Sequence, residues 1–106
     1  MKRKIDVASK PRADVRRNAN WLPRTFSVRT ADRWNLGIIA DISTLALHPE
    51  QHPLAEEAIA LGMMFRCKLH GRRPQVFRIL FTVTDDSVQV IRVRHAAQDR
   101  VTEDDL

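Results

Sequence analysis

The sequence predicts an α+β domain in which a helical hairpin packs on a small twisted antiparallel sheet, in the order β-α-α-β-β-β. Apolar residues recur at helical spacing in the first half, and strict apolar/polar alternation governs the last third. The change from one period to the other falls in a proline-punctuated stretch, HPEQHPLAEEAIALGM, from residue 48 to about 64. With 106 residues the chain is read as a single domain, 1–106, able to bury one core. Hydrophobic content of 43% against 29% charged residues suits folding rather than disorder.

RKIDVA (3–8) is a short strand with Ile5 and Val7 on one face. Ser9 caps a helix, and Pro11 sits in its tolerant first turn. Val15, Ala19 and Leu22 form its apolar stripe, Arg12, Arg16 and Arg17 lie elsewhere on its surface, and Pro23 closes it. A second helix, capped by Ser27 or Thr30, carries the stronger stripe: Trp34, Ile38, Ile42 and Leu45, with Ala31 and Ile39 beside it. His48-Pro49 ends that helix, and Leu54–Leu61 has room for one further turn. FRCKLH (65–70), VFRILFTV (76–83) and VQVIRVRH (88–95) then read as three strands. Residues 99–106, with Glu103, Asp104 and Asp105, read as a mobile acidic tail.

Register follows from keeping apolar faces together, because a slip of one residue inverts a strand. A loop at Asp85–Ser87 pairs Phe81 with Ile91 and Ile79 with Val93, and sets Arg78 opposite Arg94. A five-residue loop at Gly71–Gln75 pairs Cys67 with Ile79 and sets Lys68 opposite Arg78. The expected result is a row of cations, Lys68, Arg78 and Arg94, with Arg66 and Arg92 flanking Leu80. Directly opposed like charges destabilise a sheet, so such a face reads either as a binding surface for a polyanion or acidic protein, or as solvated side chains that splay apart.

The charge balance agrees with an anionic partner. Lys and Arg number 18 against 13 Asp and Glu, and residues 1–33 hold ten basic side chains against three acidic ones. The single cysteine, Cys67, permits no internal disulfide and points to a reducing compartment. No apolar run is long enough to span a membrane, and the basic start lacks the apolar core of a signal peptide. The expectation is a cytoplasmic protein without a membrane partner. His48 and His52 stand four apart, but Pro49 and Pro53 interrupt the helix that would present them as metal ligands, so neither metal nor cofactor is expected. Cys67 and Trp34 read as core, whereas Trp21, off the stripe, is free to meet a partner.

The segments RADVRRNANWL, LALHP, FRILFTVTDDSVQVIRVRH and the following AAQD resemble the RelE/ParE superfamily of bacterial toxin–antitoxin toxins, over residues 3–99. That resemblance implies a small basic toxin of a plasmid-stabilisation module, neutralised by a cognate antitoxin that is small, acidic and encoded adjacently. RelE-like and YoeB-like members cut messenger RNA on the ribosome without metal. ParE-like members poison DNA gyrase and need no catalytic cluster. A further alternative is an inactive member that binds only its antitoxin.

By the same resemblance, Arg78 matches an arginine that contacts phosphate in the ribonucleases, and His95 matches the histidine ending the last strand of YoeB-like members. In those a tyrosine follows, whereas here Ala96 follows and the chain has no tyrosine at all. Arg66 and Lys68 lie on the strand where RelE-like members place catalytic lysines, and Glu56 or Glu57 could supply a carboxylate. The run from His95 into AAQD favours the ParE-like branch.

If the chain cleaves RNA, a ribose 2′-hydroxyl attacks the adjacent phosphate. His95 is then the residue suited to proton transfer, with Arg78, Arg94 and Lys68 stabilising charge. Parity sets His95 on the opposite face from Arg94, so it equally reads as a strand-end histidine bonded to a neighbouring loop. If the chain inhibits gyrase, Arg12, Arg16, Arg17 and the tail are contact surfaces, or else a solvated helix face.

Overall fold

The computed structural model describes the backbone of residues 2–25, 28–73, 75–98 and 100–106, with side chains for these apart from 19–25, 28 and 30–32. The chain runs β1 (Lys4–Val7), α1 (Ser9–Thr25), α2 (Val28–Thr44), a 3-10 turn (Pro49–Gln51), α3 (Glu56–Leu61), β2 (Arg66–Arg72), β3 (Gln75–Val83), β4 (Ser87–His95) and a last 3-10 turn (Glu103–Asp105). The α+β class and the helical hairpin are as expected. The backbone bond from the Arg12 N–H to the Ala8 carbonyl makes Ala8, not Ser9, the capping residue of α1. That helix also continues through Pro23 to Thr25.

The sheet order is β1-β4-β3-β2, and β1 lies parallel to β4 while the other pairs are antiparallel. The sheet is therefore mixed, not wholly antiparallel. The helical hairpin is a crossover long enough to return the chain in the same direction. Between β3 and β4 the register Ile79–Val93 and Arg78–Arg94 is as expected, but Phe81 faces Val90. A β-bulge at Ile91 absorbs the extra residue, so Val90 and Val93 both reach the same core despite their spacing.

The β2 register differs from expectation by one residue. Arg72 pairs with Gln75, which leaves two connecting residues instead of five, and Cys67 faces Leu80 while Lys68 faces Ile79. Gly71 makes the tight turn feasible: its φ is 97°, and a Cβ there would collide with the Gln75 carbonyl oxygen. Gly71→Ala is expected to cost about 1–3 kcal/mol of stability through strain at this turn. Chemical denaturation of the variant checks this, and an unchanged midpoint would refute it.

Apolar residues fill both sides of the sheet. On the helix side, Ile38 and Ile42 of α2 and Leu45 just beyond its end meet Phe77, Ile79, Phe81 and the valines of β4. Trp34 packs against this cluster, with its ring 4.8 Å from that of Phe77, as its place in the stripe predicts. The second face carries a smaller cluster of Ala55, Ala58, Phe65, Leu80 and Val101, joined by Cys67, Ile91 and Leu106. Cys67 therefore sits in the second cluster and not in the main one. The segment read as a mobile tail is seated on this face: Val101 is buried, and Thr102 and Asp105 exchange hydrogen bonds in a capping box.

Candidate functional site

Arg78 and Arg94 stand opposite one another on the second face, with Arg92 opposite Leu80. The arginine pair read from the sequence is thus present, but it is not a bare cationic row. Glu57 of α3 faces Arg78 in a bidentate pair, with hydrogen bonds of 2.6 and 2.7 Å, and both residues are buried. Burial pushes the Glu57 carboxyl up, but bonds from Arg78, its own backbone N–H and the Val101 N–H outweigh this and hold it at about 2. The same pair raises the pKa of Arg78 further, so its charge is fixed.

Asp14 of α1 meets the neighbouring arginine. β1 ends at Val7, opposite Val90, so among the described residues no strand lies beside the outer edge of β4 beyond that point. Asp14, 1% exposed, accepts hydrogen bonds there from Arg92 Nε and Nη2 (both 2.7 Å), from the Val93 N–H (3.0 Å) and from Arg17 (3.3 Å). Arg92 also donates to the Asp105 carbonyl, and Arg94 lies 3.7 Å from the Asp105 carboxylate. Thus α1, α3 and the tail each contribute a carboxylate to the arginine face, and like-charge repulsion is relieved within the chain.

Lys68 does not join that row. The one-residue change in β2 register turns Arg66, Lys68 and His70 to the helix side and Cys67 and Leu69 to the second face. There Lys68 lies 3.8 Å from Asp41 of α2, and His70 Nδ1 is hydrogen-bonded to the same carboxylate. The His70 ring lies over Gly37, where an added Cβ would come within 3.3 Å of it. Arg66 donates to the His52 carbonyl. Burial, then the charges of Lys68 and Arg66, lower the His52 pKa, with Asp41 opposing. Sequence reasoning missed this polar cluster, although the polar alternation of β2 signalled it once the face is assigned correctly.

An open cleft of about 810 Å³ lies on the second face; Arg78, Cys67, His95, Arg73 and Arg100 contribute to its wall. Burial pushes the Cys67 thiol up more than Arg78 draws it down, so it is a neutral thiol rather than a nucleophile. His95 pairs with Phe77, as its parity predicts, and its ring stands edge-on to Phe77 at 5.1 Å. Its Nδ1 accepts the Ala97 N–H at 3.0 Å. That contact is the strand-end arrangement bonded to a loop. It leaves Nε2 as the protonated nitrogen of the neutral ring.

The α1 arginines divide. Arg12 donates to the Val7 carbonyl, Arg17 pairs with Asp14, and Arg16 lines a groove with Ile5, Val7, Val15, Ile39 and Ile42. His48, in a left-handed conformation, precedes the 3-10 turn that separates it from His52. The role expected for Trp21 lies outside the described side chains.

A structure described as "Chromosomal ParDE TA system from P. aeruginosa" superposes with a TM-score of 0.72 at 16% identity, over 89% of this chain and 96% of that one. That likeness supports the fold. No curated protein matches the sequence. The family model described as "ParE toxin of type II toxin-antitoxin system, parDE" matches residues 5–100, which is most of the chain. The matched span takes in RADVRRNANWL, LALHP, FRILFTVTDDSVQVIRVRH and AAQD, the segments that carry the resemblance, and the chain belongs to the ParE toxin family of type II toxin–antitoxin systems.

Proposed function

We propose that this toxin arrests growth by binding and poisoning DNA gyrase, and that its cognate antitoxin relieves the arrest. The observation that supports this reading over RNA cleavage is the internal pairing of Arg78 with Glu57. A ribonuclease needs a cation free to meet the charged phosphorane and a residue able to exchange a proton beside it. Here the Arg78 guanidinium is buried against a carboxylate, Lys68 lies on the other face, and the His95 Nδ1 is committed to the Ala97 N–H. A binding toxin has no need of such a cluster. Arg16 and the exposed Arg29 and Arg33 of the helical hairpin remain as contact surface.

Purified toxin is expected to inhibit gyrase supercoiling and to accumulate double-strand breaks in supercoiled plasmid, with antitoxin reversing both. Folded protein that leaves supercoiling and cleavage unchanged would overturn the proposal. Ribosome-dependent messenger RNA cleavage would then be the reading to pursue, with Arg78 the first residue to replace.

A further inference from the structure

Two rows of side chains run abreast along the β2 edge of the sheet. On α2, steps of four residues join Arg29, Arg33, Gly37 and Asp41 in one stripe. On β2, alternation carries Lys68, His70 and Arg72 to the helix side. Two contacts fix the rows in antiparallel order: Lys68 lies 3.8 Å from Asp41, and the His70 ring lies over Gly37. Four helical residues and two strand residues both advance about 6 Å, so the rows stay in step and Arg33 comes abreast of Arg72. Gly37 lets them close up, since a Cβ there would press to within 3.3 Å of His70. Arg29 extends the helix row by one turn, and Arg73 extends the strand row into its hairpin turn.

The charge of this edge is one-sided. Asp41 is engaged by both Lys68 and His70. Arg29, Arg33, Arg72 and Arg73 are exposed, and among the described residues no carboxylate lies within ion-pair distance of them. On the second face, by contrast, Arg78, Arg92 and Arg94 each have an acid. Cations spaced along a helix and a hairpin suit a regular line of phosphates. The stripe from Arg29 to Asp41 is about 18 Å long, near half a turn of duplex. Bases find nothing to stack on: of the described Phe and Trp side chains, Phe65, Phe77 and Phe81 are buried, and Trp34 packs against Phe77. Readers of single strands depend on such stacking, so this edge suits the backbone of a double helix.

We propose that the edge formed by Arg29, Arg33, Arg72 and Arg73 docks on the phosphate backbone of duplex DNA without reading its sequence. The proposal rests on the gyrase reading for its setting: gyrase holds duplex DNA as it works, and a toxin that grips the same duplex engages enzyme and substrate together.

The binding test leaves gyrase out, so the two readings fail separately. It uses fluorescence polarisation with a labelled duplex of arbitrary sequence, roughly 20 base pairs or two turns long. The purified toxin is expected to bind, with the logarithm of affinity falling against that of salt concentration at a slope of roughly −3. The triple variant Arg29→Ala, Arg33→Ala, Arg72→Ala, its fold checked by circular dichroism, is expected to bind at least roughly tenfold more weakly and with a flatter slope. Replacing Lys2, Lys4 and Lys10 by Ala removes as many exposed charges from around β1, at the opposite edge, and is expected to keep most of the affinity. Equal losses in both triple variants would overturn the proposal by showing only net charge at work, as would no binding by the folded native chain. A single-stranded RNA of equal length that binds more tightly, or poly-glutamate that displaces the duplex as readily as unlabelled DNA does, would also overturn it. If the triple variant does not fold, Arg33→Ala alone decides: its slope is expected to flatten by about one, and an unchanged slope would refute the contact. A native chain that binds the duplex and leaves gyrase untouched would refute the gyrase reading and leave the duplex site standing.

Discussion

Glu57→Ala is expected to destabilise the domain by about 3–5 kcal/mol, because it leaves the Arg78 guanidinium buried without its carboxylate. A domain of this size has a total stability of roughly 5–15 kcal/mol, so the variant should melt far lower or fail to fold at 37 °C. Arg78→Ala should cost a comparable amount by stranding Glu57. The double variant should be less destabilised than the sum, because neither charge then remains unpaired. Additive losses in urea unfolding would show that the pair is not a unit.

The same pair gives a pH dependence. Its folded pKa of about 2 lies below the ordinary 4.5, so the contribution is present in full above pH 4.5 and is lost as pH falls towards 2. A depression of that size corresponds to about 3 kcal/mol. Unfolding free energy should therefore fall steeply below pH 4.5, and Glu57→Gln should flatten that fall. An equally steep fall in the variant would assign the acid sensitivity elsewhere.

Asp14→Ala is the second large effect expected, again about 3–5 kcal/mol, since one buried carboxylate serves both the Arg92 guanidinium and the Val93 N–H. Asp14→Asn keeps one acceptor oxygen and should lose roughly half as much. Hydrogen exchange separates this from a general loss of stability. The Val93 amide should lose protection beyond what the global change explains, and normal protection there would refute the edge-capping role.

Much of the fold was legible because one physical rule governed each legible part. The stripe from Trp34 to Leu45 had a single helix face to bury, and the alternation of β3 and β4 placed Arg78 opposite Arg94 and His95 beside Phe77. The rule failed at β2. Alternation there set Phe65, Cys67 and Leu69 apart from Arg66, Lys68 and His70, and the apolar set was assigned to the only core expected. Because α3 and the tail cover the second face, both faces bury apolar residues, and alternation no longer says which is which. The polar set went to the helix side, where Asp41 receives it.

The site was legible in its cations and not in their partners. Arg78, Arg92 and Arg94 are adjacent through sheet pairing, which is periodic and can be read locally. Glu57, Asp14 and Asp105 reach them from α3, α1 and the tail, and nothing in local pattern announces those contacts. What read as an unmixed basic face is mixed by distant parts of the chain.

The pairing of the first strand with the last has a consequence for synthesis. Lys4 finds its backbone partner only when Ser87 is available, and Val7 only when Val90 is. These partners are 83 residues apart in sequence, so the nascent chain carries an unpaired strand and an uncovered helical hairpin until β4 has been made. Closing so long a loop slows folding. A sheet built this way is completed late, when β4 arrives to join β1 to the two strands made just before it.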